Sequence, residues 1–231
     1  MEERPVLASG NRDIVDRFLY HAILVRIAPY IPRSITPNQI TLAAFFCFLS
    51  GSLSLLMIES PVALLLQVAG IAFGLTLDCL DGLHARLSGQ TSRFGSFFDH
   101  YCDQIAYLFF YFAIVIRFKL ATPVFLFLIM ARMTLAAVAF LHQAETRAFE
   151  LPPTGPSFEY AVYCLFLCWS FVQPGDLVVL SNWVTNVRLL ELVERFDLNH
   201  LTVMKVAILG YAASLPSLLI GYGRSAQRML A

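Results

Sequence analysis

The chain has 231 residues, 58% of them hydrophobic and only 14% charged, and its sixteen basic and sixteen acidic side chains cancel to a formal net charge of zero. A soluble domain typically carries about a quarter charged residues, so the composition argues against an ordinary soluble globule and for an integral membrane protein. No basic stripe stands out, which excludes nucleic acid from the expected partners.

In chain order, residues 1–20 are mixed and charged and lack the apolar core and small-residue cleavage site of a secretory signal. Residues 11–33 alternate charged and apolar side chains at helical spacing, with Ile14, Phe18, Leu19 and Ala22 on one face and Arg12, Asp16 and Arg17 on the others. This predicts an amphipathic helix on the bilayer surface, ended by Pro29 and Pro32. The bland alternative is a solvated helix docked on protein. ITPNQIT at 35–41 leads into the first apolar span, with Asn38 as the expected cap. Spans are predicted at about Ile40–Ile58, Val62–Leu80, Ser96–Ile116, Leu120–Leu141, Tyr160–Leu180 and Leu201–Ile220, each able to cross a hydrocarbon core about 30 Å thick. A short surface helix carrying Glu191, Glu194 and Arg195 is expected between the last two. The organisation read from this pattern is an N-terminal segment at 1–37, a transmembrane catalytic domain at 38–222 and a cytoplasmic tail at 223–231. The fold class is all-α, a six-helix transmembrane bundle with an amphipathic surface helix in front.

Basic residues orient the bundle. Arg4, Arg12, Arg17, Arg26, Arg33, Arg86, Arg93, Arg147, Arg224 and Arg228 fall on the side of the termini, against Arg117, Lys119, Arg188 and Arg195 on the other. The positive-inside rule places the first side in the cytoplasm, in the inner or plasma membrane if the source is bacterial. Five cysteines, Cys47, Cys79, Cys102, Cys164 and Cys168, form no CxxC pair and suggest neither a disulfide framework nor a zinc site.

Four aspartates stand at that cytoplasmic edge, in LDCLDGLHARLSGQTSRFGSFFDHYCDQ. On a helix continuing past span two, Asp78, Asp81, Gly82, Ala85 and Arg86 share one arc, and on the next helix Gly95, Asp99 and Asp103 recur four apart. Antiparallel packing brings the four carboxylates together. Either pair alone reads as a cap, a turn or a solvated face; together at a membrane boundary they repel and lose hydration. One arginine cannot neutralise them, which leaves shared protons or bound divalent cations. Oxygen ligands suit magnesium, manganese or calcium, and a two-metal site is a natural fit. Such cations organise phosphate oxygens, Arg86 adds fork-shaped donors, and one carboxylate can take a hydroxyl proton. The chemistry is that of a pyrophosphate-linked substrate attacked by an alcohol, with a lipid as one reactant. A proton or ion transporter, the rival from another class, calls for acids along a crossing path rather than at one edge.

The sequence DCLDGLHAR, eight residues, then Gly95, Asp99 and Asp103 matches DxxDGxxARx(8)GxxxDxxxD at every defining position, and so resembles the CDP-alcohol phosphotransferase family. TPNQIT before the first span is also similar. The resemblance implies a membrane enzyme, usually a homodimer, that transfers a phosphate-containing group from a CDP-linked donor to an alcohol and releases CMP. It implies Asp78, Asp81, Asp99 and Asp103 as ligands of two Mg2+ or Mn2+ ions and Asp103 as the base. It also implies Asp78, Asp81, Gly82, Ala85 and Arg86 as the cytidine-diphosphate pocket, with Gly95 holding the third span near it. Compact size favours CDP-diacylglycerol as donor and a small soluble alcohol as acceptor. The FDHYCD stretch is instead similar to the branch that moves phosphocholine or phosphoethanolamine from a CDP-aminoalcohol to diacylglycerol. Gln104, where many phosphatidylglycerophosphate synthases have lysine, counts against a glycerophosphate acceptor. His100, as a proton-transfer or phosphate group, Arg132, as a phosphate ligand or the partner of an acid such as Glu145, and Lys205, as a side chain reaching for the interface, are further candidates.

Overall fold

A computed structural model describes residues 14–120, 123, 125–127, 129–131, 133–134, 156–179, 182, 186–196, 198–202 and 205–206. The N-terminal segment is helical in four short pieces: α1 (Ile14–Leu19), a wide π-helical turn (Tyr20–Leu24), α2 (Val25–Ile27) and a 3-10 turn (Ala28–Tyr30). Beyond it come α3 (Pro37–Met57), α4 (Val62–Ser88), α5 (Arg93–Arg117), α6 (Pro156–Val172), strand β1 (Asp176–Val179), α7 (Val187–Arg195) and strand β2 (His200–Thr202). The described fold is all-α apart from β1 and β2, which pair antiparallel.

Local chemistry sets the helix ends. Thr36 opens α3 with a reciprocal cap: its backbone N–H donates to Gln39 Oε1 at 2.8 Å and its hydroxyl accepts from the Gln39 N–H at 3.4 Å. Pro37 sits in the first turn, where its missing N–H costs nothing. The cap is therefore Thr36, not Asn38. The last turn of α4 closes on Gly89, whose φ of 72° is left-handed and favours glycine. Ser92 then caps α5 by accepting from the Gly95 N–H at 2.9 Å.

The helices α3 and α4 are long and apolar enough to cross a membrane, at 21 and 27 residues, which supports a membrane-associated protein. They cross at close range: a Cβ added to Gly70 would lie 2.7 Å from the Cys47 carbonyl oxygen, and one on Gly74 would lie 2.8 Å from the Phe48 ring. Small residues thus let the two backbones meet. α3 also packs along α5. The core gathers Phe48, Leu64, Ile71, Phe110, Ile114, Tyr160, Tyr163 and Leu167, with the Tyr107 and Tyr160 rings stacked at 4.6 Å. Within it the Tyr111 hydroxyl donates to the buried Glu159 carboxylate.

The N-terminal helix docks through Tyr20, Leu24 and Ala28 onto Ile40, Leu80 and Leu83 and leaves Ile14 and Phe18, of the face expected to meet the bilayer, pointing outward at 58% and 69% exposure. Three sequence expectations meet a different arrangement. The expected fifth span stops at Val172, because Gln173, Pro174 and Gly175 break it and 176–179 form β1. The first residues of the expected sixth span, Leu201 and Thr202, belong to β2. Lys205 is buried rather than snorkelling, its ammonium 5.9 Å from the Phe125 ring centroid. The surface helix expected around Glu191–Arg195 is α7, capped by Asn186. Arg132, Glu145, most of the fourth and sixth spans and the 223–231 tail lie outside the described residues.

Candidate functional site

The site forms where the last turns of α4 meet the first turns of α5. Asp78 and Asp81 come from α4 one turn apart, and Asp99 and Asp103 from α5 one turn apart. One carboxylate oxygen each from Asp78, Asp99 and Asp103 lies within 4.8 Å of the other two. These three form an acidic group able to hold a metal ion. Asp81 stands beside it, 5% exposed, with its Oδ2 accepting a hydrogen bond from the Thr41 hydroxyl on α3.

Like charges so close need compensation. At an effective dielectric of 20, two carboxylates about 4.8 Å apart repel by roughly 3.5 kcal/mol. His100 lies beside the acids, its Nδ1 3.8 Å from Asp99 Oδ2, which makes it a neighbour of one acid and not a partner for all three. Asp99 Oδ1 is buried and has no hydrogen-bond partner. A buried oxygen left without a donor, in an all-oxygen set, fits a hard divalent cation.

Beside the acids opens a cleft of about 200 Å³ that brings Asp81, Gly82, Ala85, Arg86, Gly95 and Asp99 onto one wall. Of the residues singled out in the sequence, Asp81 and Asp99 therefore face the cleft, Asp78 and Asp103 join Asp99 in the acidic group, and Asp99 belongs to both. The Arg86 guanidinium folds back over Gly82, where an added Cβ would lie 3.4 Å from Nη1. Gly95 is tighter: a Cβ there would meet Ser92 Oγ at 3.0 Å and Asn38 Oδ1 at 3.2 Å. The absent side chain lets the start of α5 close on the start of α3.

Several contributors escaped the sequence reading. Asn38 and Thr41 line the cleft, and their signal was the polar face of TPNQIT at the mouth of an apolar helix. His84, inside the acidic motif, is 2% exposed and its Nε2 lies 2.8 Å from the Ile35 carbonyl oxygen. Gln90 Nε2 donates to the Arg33 carbonyl at 2.8 Å. Together these two contacts fasten the segment leading into α3 to the end of α4. Asp16 approaches from the N-terminal helix, its Oδ1 accepting from the Cys79 thiol at 3.3 Å next to Asp78.

Residues 34–193, well over half of the chain and including the four aspartates and every residue lining the cleft, match the family described as CDP-alcohol phosphatidyltransferase. Two curated proteins are similar over shorter stretches. The bifunctional IPC transferase and DIPP synthase of Aquifex aeolicus (strain VF5) is 31% identical over 90 residues, covering 39% of this chain and 20% of that protein. The archaetidylinositol phosphate synthase of Pyrococcus horikoshii is 36% identical over 72 residues, covering 31% of this chain and 36% of its own length.

Proposed function

The chain belongs to the CDP-alcohol phosphatidyltransferase family, and from that membership we propose that it transfers the phosphatidyl group of CDP-diacylglycerol to a small alcohol, releasing CMP and forming a phospholipid. The observation that carries this reading is the group Asp78, Asp99 and Asp103, whose oxygens converge within 4.8 Å beside a cleft lined by Gly82, Ala85 and Arg86.

Asp78, Asp99 and Asp103, with Asp81 at their edge, would hold two Mg2+ or Mn2+ ions. When bound, those cations neutralise pyrophosphate charge and stabilise the charge that builds on the departing CMP. The chain's own residues do the rest. Gly82 and Ala85 let the cytidine diphosphate approach the backbone, and Arg86 offers paired donors to its phosphate oxygens. Asp103 takes the proton of the acceptor hydroxyl as its oxygen bonds to the phosphatidyl phosphorus. The bond from that phosphorus to CMP breaks in the same displacement, and CMP leaves with the electron pair. Direct transfer needs no protein nucleophile, and Cys79, a cysteine beside the acids, has its thiol engaged with Asp16 at 3.3 Å and does not line the cleft. Single displacement predicts inversion at phosphorus.

The reaction would run at the cytoplasmic face of the membrane, the inner or plasma membrane if the source is bacterial, in a six-span homodimer with lipid as both solvent and substrate. The name of the Pyrococcus relative makes inositol phosphate a sensible member of the acceptor panel. The test gives purified protein CDP-diacylglycerol, magnesium or manganese and a panel of soluble alcohols, and measures CMP and new lipid together. A second arm supplies CDP-choline or CDP-ethanolamine with diacylglycerol, because FDHYCD is similar to that branch. Matched CMP and phospholipid in the first arm support the proposal. Product in the second arm alone reverses the direction of transfer, and a folded protein silent in both refutes the donor assignment.

A further inference from the structure

We propose that Thr41 is a positioning residue for the acidic site: its hydroxyl holds one oxygen of Asp81 and so fixes how that acid presents itself to a cation. The inference rests on the proposed function only in taking Asp81 as a ligand.

Thr41 and Asp81 are 4% and 5% exposed, so the bond between them is shielded from bulk water although both border the cleft. Thr41 Oγ1 lies within hydrogen-bonding reach of both Asp81 Oδ2 and the Pro37 carbonyl oxygen, the latter at 3.2 Å. The hydroxyl has one proton. A carboxylate only accepts, and a bond to a charged oxygen is the stronger one, so the proton goes to Asp81. The branched Cβ of threonine restricts its rotamer and keeps Oγ1 aimed across the helix crossing. That crossing is held from both sides. Gly70 admits the α3 backbone where a Cβ would come within 3.0 Å of Gly51 Cα, and the His84 contact to Ile35 and the Gln90 bond to Arg33 fasten the chain before α3. With Oδ2 committed, Asp81 stays out of the group made by Asp78, Asp99 and Asp103 and joins Asp99 along the cleft. Its remaining lone pairs then serve a cation from the cleft side.

Hydrogen-bond partners of metal ligands typically contribute about 10–100-fold to metal affinity or activity. Thr41→Val keeps the side-chain shape and removes the donor, whereas Thr41→Ser keeps the donor. Purified wild type and variants, without donor or acceptor, are titrated with Mn2+ while free Mn2+ is read by electron paramagnetic resonance, and folding is checked by size exclusion in detergent. The expected result is Mn2+ binding about 10–100-fold weaker in Thr41→Val and largely restored in Thr41→Ser. Thr41→Ala gives the same reading if the valine variant is not recovered folded. Equal affinity in wild type, Thr41→Val and Thr41→Ala overturns the proposal, as does Thr41→Ser binding no better than valine. A folded wild type that holds no Mn2+ overturns the proposal and the metal reading together; normal Mn2+ binding by every variant overturns this inference alone.

Discussion

Asp99→Asn should move stability in opposite directions with and without divalent cations. In the acidic group Asp99 faces two other carboxylates at up to 4.8 Å, each repelling it by about 3.5 kcal/mol at an effective dielectric of 20. The sum, about 7 kcal/mol, is a ceiling, because metal-free acids can share protons. If only about a fifth survives, the substitution relieves roughly 1.5 kcal/mol in the metal-free protein. A chain of this size gains about 2–4 °C per kcal/mol, so the apparent melting midpoint in excess chelator should rise by about 3–6 °C. With saturating Mn2+ the sign reverses, because the wild type gains binding free energy that grows with the logarithm of ligand over dissociation constant and the variant has lost a ligand. Asp99 Oδ1, buried without a donor, loses no protein hydrogen bond that would mask the effect. The assay is thermal unfolding in detergent, followed by intrinsic fluorescence, in chelator and across a Mn2+ series. A variant less stable than wild type in chelator, with an unchanged Mn2+ shift, would refute the reasoning.

Asp103→Asn should lower turnover about 10²–10⁴-fold, the range for a lost general base, with a much smaller change in donor binding measured by CDP-diacylglycerol competition; wild-type turnover would remove Asp103 from that role. Gly95→Ala places a Cβ 3.0 Å from Ser92 Oγ and 3.2 Å from Asn38 Oδ1, so those two side chains, one of them the cap of α5, must give by a few tenths of an ångström at the mouth of the cleft. The KM for the donor should rise more than kcat falls, and an unchanged KM would show that the helices have room to spare.

The acids were legible because helical spacing alone aligns them. Asp78 with Asp81, Gly82, Ala85 and Arg86, and Gly95 with Asp99 and Asp103, fall on shared faces whatever else the chain does. How the four divide was not legible. Asp81 is drawn aside by Thr41, forty residues earlier, and that contact depends on how closely α3 crosses α4 at Gly70, a tertiary fact no local pattern encodes. Asn38 looked like the cap because it stands in a polar stretch before an apolar run, yet Thr36 with Gln39 offers two reciprocal bonds where asparagine offers one. The N-terminal segment keeps helical periodicity only up to the wide turn at Tyr20–Leu24. That turn rotates the residues after it, so the buried stripe runs through Tyr20, Leu24 and Ala28 while Ile14 and Phe18 face outward. In the fifth span, apolar Leu177–Leu180 prolongs the hydropathy beyond the interruption that Gln173, Pro174, Gly175 and Asp176 already mark in the sequence; the helix ends at that interruption and 176–179 pair as a strand.

The central claim is that cations held by the carboxylates between α4 and α5 make the transfer possible. Its most direct test measures CMP and phospholipid formed from CDP-diacylglycerol by chelator-stripped protein, before and after Mg2+ or Mn2+ is returned, with the acceptor panel present throughout. The account predicts no product from the stripped protein and equimolar CMP and lipid once the ion is restored; equal product in both conditions would contradict it.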